Sequence, residues 1–287
     1  VKEGGLTVGE GRRVTLQAGS IANDGGKGKV TVGAGSTLNL YTNDIAGLQA
    51  AGEAAVSGTG TLGIASYDGS KTIGLGDNAA GDLKLTNEKF SSVFGDGFSH
   101  YSIGSAQQQK INAADSSLAK DTTLTANEID ITGDLTVAAG KVLTLNGAKN
   151  TKEEASAKIK ADKLALQGGD FILDGDNEIG TAAGETGKLS LTSNALNIGT
   201  VVTPAGAAKG SKTLTGITGR GDIILTADKM SFDQKVSSSD TGKDTHYLTL
   251  QQKGIDTPLN LGVSGEGLSL GTEIFGGAKI ADGFKTV

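Results

Sequence analysis

An apolar-polar-apolar triplet returns along almost the whole chain, and it limits what the chain can fold into more than any other feature. It reads Leu6-Thr7-Val8, Val30-Thr31-Val32, Leu38-Asn39-Leu40, Leu83-Lys84-Leu85, Ile129-Asp130-Ile131, Leu143-Thr144-Leu145 and Leu268-Ser269-Leu270, with Gly, Asp or Asn between copies. A period of two with one apolar face is the mark of a strand. Turn residues arriving this often keep the strands short.

The triplets superpose in longer frames. Leu6-Thr7-Val8-Gly9-Glu10-Gly11-Arg12-Arg13-Val14-Thr15-Leu16 aligns with Val30-Thr31-Val32-Gly33-Ala34-Gly35-Ser36-Thr37-Leu38-Asn39-Leu40, which begins 24 residues later. Leu135 to Leu145 repeats the frame a third time. A period of this size is the mark of a solenoid, and two short strands joined by a glycine turn are what one β-helix coil needs. Composition agrees. The chain has 46 Gly but only 7 Phe, 4 Tyr and no Trp, so its core must come from many small aliphatic side chains stacked regularly. The expectation is an all-β chain, a single-stranded right-handed parallel β-helix over 1–287, with about 12 to 14 coils at ordinary coil lengths.

A longer period overlies the first. Leu83-Lys84-Leu85-Thr86-Asn87-Glu88-Lys89-Phe90, followed by Asp96-Gly97-Phe98, returns as Leu268-Ser269-Leu270-Gly271-Thr272-Glu273-Ile274-Phe275, followed by Asp282-Gly283-Phe284. The spacing predicts a short helix or loop excursion near 86–102, with Asn87 as its N-cap, and the start of its repeat near 271–287. On this reading the chain is a piece of something longer, also because Val1-Lys2-Glu3-Gly4-Gly5 is no signal peptide.

Several classes of function lose support. Without cysteine there is no disulfide, no thiolate metal site and no cysteine nucleophile. A formal charge of -6 with no basic stripe argues against nucleic acid as a partner. The stretch Lys152 to Lys163 is cationic but contains Glu153, Glu154 and Asp162, and reads as a solvated face. No apolar run approaches the ~18 residues of a membrane span, so no membrane insertion is expected. P-loop and Asn-x-Ser/Thr patterns are missing as well.

The run Leu83-Lys84-Leu85-Thr86-Asn87-Glu88, then Ser102-Ile103-Gly104, then Leu124-Thr125-Ala126 with Ile129, then Leu143-Thr144-Leu145, resembles the repetitive shaft of filamentous haemagglutinin-like exoproteins, the secreted partners of two-partner secretion systems. The resemblance implies a right-handed β-helix, export through an outer-membrane transporter, a secreted or bacterial cell-surface location, and attachment to a host-cell glycan or protein receptor. That family's secretion domain carries Asn-Pro motifs. Here the two prolines stand in Thr203-Pro204 and Thr257-Pro258, which makes this piece shaft rather than secretion signal.

Three constellations could carry chemistry. Asp170, Asp174 and Asp176 cluster as carboxylates do in β-helical lyases, but Asp174-Gly175-Asp176-Asn177 reads first as a turn, with calcium ligation or acid/base work the alternatives. His100 and His246 are far apart in sequence and read as exposed loop histidines. The aromatic group Phe90, Phe94, Phe98 and Tyr101 either covers a flank of the coil stack or forms a ligand-binding platform for a glycan or host protein. No catalytic residue, metal site or cofactor is assigned, so the chain is not expected to be an enzyme. The leading function is an adhesin shaft. A polysaccharide lyase or tailspike depolymerase and the stalk of a toxin-delivery exoprotein are the rivals.

Overall fold

The computed structural model describes residues 5–25, 27–154, 156–161, 163–173, 178–179, 188–192, 195–198, 211–214, 217–219, 222–226, 229–232, 236–238, 247–252, 258–275 and 280. Nearly all of it is parallel β-structure, wound as stacked coils into a solenoid. The chain divides into two units, Val1–Ala138 and Ala139–Val287.

In the first unit the principal ladder runs through Arg13–Gln17, Thr37–Tyr41, Thr61–Ala65, His100–Gly104 and Asp121–Ile131, each strand parallel to the next. Register is set by the period of two. Leu16, Leu40, Ile64, Ile103 and Leu124 lie in one column, and from Leu40 to Leu124 none is more than 1% exposed. Aliphatic residues thus contact their equivalents one coil away, while the polar members of each triplet stay outside. A second face stacks Leu6–Val8, Val30–Val32 and Val56–Gly58. A third stacks Leu83–Leu85, Ile73–Leu75 and Lys110–Ala113 on the far half of Asp121–Ile131.

The second unit repeats the plan with Val142–Glu153, Lys163–Leu173, Lys188–Thr192, Asp222–Thr226 and Leu248–Gln251 paired in succession. Among the described residues each unit therefore has five principal rungs, fewer coils than the expected 12 to 14. Coils are longer than assumed because some carry excursions, such as the one between Ala65 and His100 that contributes two further strands.

Described helix is confined to short turns at Lys89–Val93 and Thr272–Phe275. The first falls in the expected excursion but has π geometry, with the Phe94 N–H donating to Lys89 O at 2.8 Å. The widened turn directs Phe90, Val93 and Phe94 all toward the core. Asn87 does not cap it. Glu88 holds the N-cap position without any side-chain capping bond.

One charged stretch also departs from expectation. Glu153, read as solvated, is only 3% exposed, because the alternation of Val142–Glu153 resumes after a register shift between Gly147 and Asn150 and turns that side chain inward with Thr151.

Candidate functional site

The aromatic group is brought together, but inside the molecule. Phe90 leaves the π turn, Phe94 follows it, Phe98 sits in the next turn, and Tyr101 lies on the principal ladder between Leu62 and Thr122. Phe90 stacks on Tyr101 with centroids 5.0 Å apart and on Phe94 at 5.7 Å, while Phe98 meets Tyr101 at 6.3 Å. All are tilted pairs, the arrangement that ring quadrupoles favour. Exposure runs from 0% at Phe94 to 6% at Phe90. Burial, with Asp96 nearby, pushes the Tyr101 hydroxyl up to about 12, so it stays protonated. Of the two readings open in sequence, rings covering a flank of the coil stack or a binding platform, the burial favours rings packed into the stack. The rings face one another because coils on either side supply the neighbours that the local sequence does not show.

Around these rings, polar side chains act as staples between coils. Lys89 lays its ammonium against the carbonyls of Ile45 and Leu48, at 3.4 and 3.1 Å. Gln108 is fully buried and fully used: its Oε1 accepts from the Ser66 N–H and hydroxyl, and its Nε2 donates to Lys71 O and Lys110 O. The Asn87 carboxamide donates to Asp77 Oδ2 and Asp115 O, both at 2.8 Å, and accepts the Ser117 N–H at 2.9 Å. Asp115 adopts a left-handed backbone (φ 53) and accepts from Asn78 Nδ2 and the Asp134 N–H. The oxygens of this row of amides and carboxylates are engaged in holding four chain segments together. Sequence reading missed it because those segments are brought side by side only by coiling.

The remaining candidates separate. His100 is on a strand rather than in a loop, half-buried opposite Asp121. Burial holds its pKa below the ordinary histidine value, with the Asp121 charge opposing. Asp170 lies in the strand Lys163–Leu173, whereas Asp174, Asp176 and His246 fall outside the described residues. Among the described residues, no group of three or more His, Asp or Glu is placed to hold a metal, and no helix is long and apolar enough to cross a membrane.

One apolar surface went unanticipated. Leu259, Leu261 and Val263 are 48%, 62% and 62% exposed. Leu259-Asn260-Leu261 is written like every buried triplet, so nothing in the sequence distinguishes it.

No protein-family model matches this chain, and no match is found among curated proteins or solved structures.

Proposed function

We propose that the chain is part of the shaft of a secreted bacterial surface adhesin, a non-enzymatic element that carries attachment away from the cell. The observation that supports this is the unbroken in-register column Leu40, Ile64, Ile103 and Leu124. Each coil gains its stability from the coil before and after it, so such a structure can lengthen by duplication without a new core. The repeat resemblance to filamentous haemagglutinin-like exoproteins points the same way. It adds export through an outer-membrane transporter and a host glycan or protein as the receptor.

The test uses the whole chain, fluorescently labelled, on cultured epithelial cells and on a glycan array. Saturable binding competed by unlabelled chain is expected. Absence of binding together with depolymerisation of an acidic polysaccharide would replace the adhesin reading with that of a lyase.

A further inference from the structure

Tyr67 is a large ring left in water on a turn that is tied down at nearly every residue. It is 42% exposed, just past the strand Thr61–Ala65. The Ser66 N–H and hydroxyl both donate to Gln108 Oε1. Asp68 Oδ1 accepts from the Ser70 N–H at 2.9 Å and from its hydroxyl at 2.6 Å, and Gly69 O accepts the Gln109 N–H at 2.8 Å. Gly69 has a positive φ of 79, and a Cβ there would meet Gln107 O at 2.2 Å, so the turn is pressed against the next coil. A turn tied in this way holds the ring outward, where much of its apolar surface contributes nothing to the fold.

Side chains from the two preceding coils hold the Tyr67 backbone on both sides. The Tyr67 N–H donates to Asn43 Oδ1 at 3.0 Å, and Tyr67 O accepts from Gln17 Nε2 at 3.3 Å. These bonds fix which way each amide is turned, because a backbone N–H only donates and a carbonyl only accepts. Asn43 therefore keeps its Nδ2 donor, and Gln17 its Oε1 acceptor, for another partner, and neither atom has one among the described residues. Tyr41, opposite Gln17 on one side and Ala65 on the other, adds a part-exposed ring on the adjoining strand.

We propose that Tyr67, Asn43 and Gln17 form a binding site for a neutral, β-linked oligosaccharide of glucose configuration. A sugar of that configuration carries its hydroxyls around the ring edge, so both of its faces are C–H and stack on a tyrosine. Each hydroxyl donates and accepts, which matches one fixed donor and one fixed acceptor flanking the same peptide. A proline-rich peptide also lies against tyrosine, but it offers carbonyl acceptors alone and leaves Gln17 Oε1 unmatched. Asp44 and Asp68 are exposed beside Asn43 and Tyr67 in sequence, which makes an acidic sugar the poorer occupant. Because the turn and both amides are already held, little freedom is lost on binding. The proposal rests on the attachment reading above for its biological setting and gives that attachment a place on the coil stack.

The experiment titrates the full chain with cellotetraose and with triacetylchitotriose, read by saturation-transfer difference nuclear magnetic resonance. Saturable binding of at least one is expected. Tyr67→Ala should weaken it at least about tenfold, whereas Tyr67→Phe keeps the stacking ring and should stay within about twofold. Asn43→Asp keeps the oxygen that accepts the Tyr67 N–H but replaces the free donor, and should weaken binding roughly threefold to tenfold. None of these changes removes a buried side chain, and unchanged far-ultraviolet circular dichroism spectra check the folds. Binding of neither sugar, or equal binding by wild type and Tyr67→Ala, overturns the proposal. Binding of a decaproline peptide in preference to both sugars also overturns it. Sugar binding that depends on Tyr67, in a chain that does not bind epithelial cells, upholds the site and fails the attachment reading instead.

Discussion

Leu145 lies directly opposite Leu166 in the parallel ladder of the second unit, and neither is more than 1% exposed. Between Leu145 and its equally buried neighbour Leu143, Thr144 alternates to the other face and is partly exposed. Leu145→Ala removes buried methyl groups from the column it shares with Leu166 and should cost about 2 to 5 kcal/mol. Thr144→Ala should stay within about 0.5 kcal/mol, as surface changes do. Chemical denaturation of the two variants measures the contrast, and equal shifts would place the strand in the wrong register.

Much of the fold was legible because a coil's register is an alignment of the sequence with itself. Superposing Leu6-Thr7-Val8 on Val30-Thr31-Val32, and Val14-Thr15-Leu16 on Leu38-Asn39-Leu40, gives the observed pairings residue by residue. What that alignment cannot carry is which side chains the neighbouring coils cover. Phe90 and Phe94 could be read either as cover for the stack or as a platform, because the rings and backbone that bury them come from other coils. Glu153 read as solvated because its charge outweighed its place in an alternating strand. Asn87 read as a helix cap, and its real partners Asp77 and Asp115 are far from it in sequence.

Gln108 illustrates the same limit and yields a second prediction. Gln107, Gln108 and Gln109 are indistinguishable in sequence, but only the middle one is buried, where it satisfies two donors on Ser66 and two carbonyls. Gln108→Ala leaves those groups unpaired away from water and should cost more than about 2 kcal/mol. Gln107→Ala should be nearly neutral. Thermal unfolding of both variants decides it.

Asn87→Asp probes the staple between coils through its pH dependence. The new carboxylate would lose the donor that Asn87 gives to Asp77 and would sit beside that like charge. Repulsion then raises its pKa in the folded state above the unfolded value, so the folded state binds the extra proton more readily. Destabilisation should therefore be small near pH 4 and grow as pH rises toward 7, to roughly 1 to 3 kcal/mol once the donor is lost and the charge is present. Urea midpoints of wild type and variant across that range provide the measurement. A loss independent of pH would show that only the hydrogen bond matters.

His100 should give the wild-type chain a pH dependence of the opposite sign. Its folded pKa is lowered, first by burial and against the pull of Asp121, while in the unfolded chain it titrates near 6.5. As pH falls through that value the unfolded state takes up a proton that the folded state refuses. Stability should therefore decline below about pH 7 and level off only once the pH is under the folded pKa. His100→Gln removes the titrating group and should flatten this part of the curve. Asp121→Asn removes the one charge that favours the protonated ring, pushes the folded pKa lower still, and should deepen the decline. Denaturation midpoints at pH 5, 6, 7 and 8 separate the three proteins, with a nuclear magnetic resonance titration of His100 as the direct check. Parallel curves for wild type and His100→Gln would mean that the imidazole is hydrated in the fold and that its place opposite Asp121 carries no linkage.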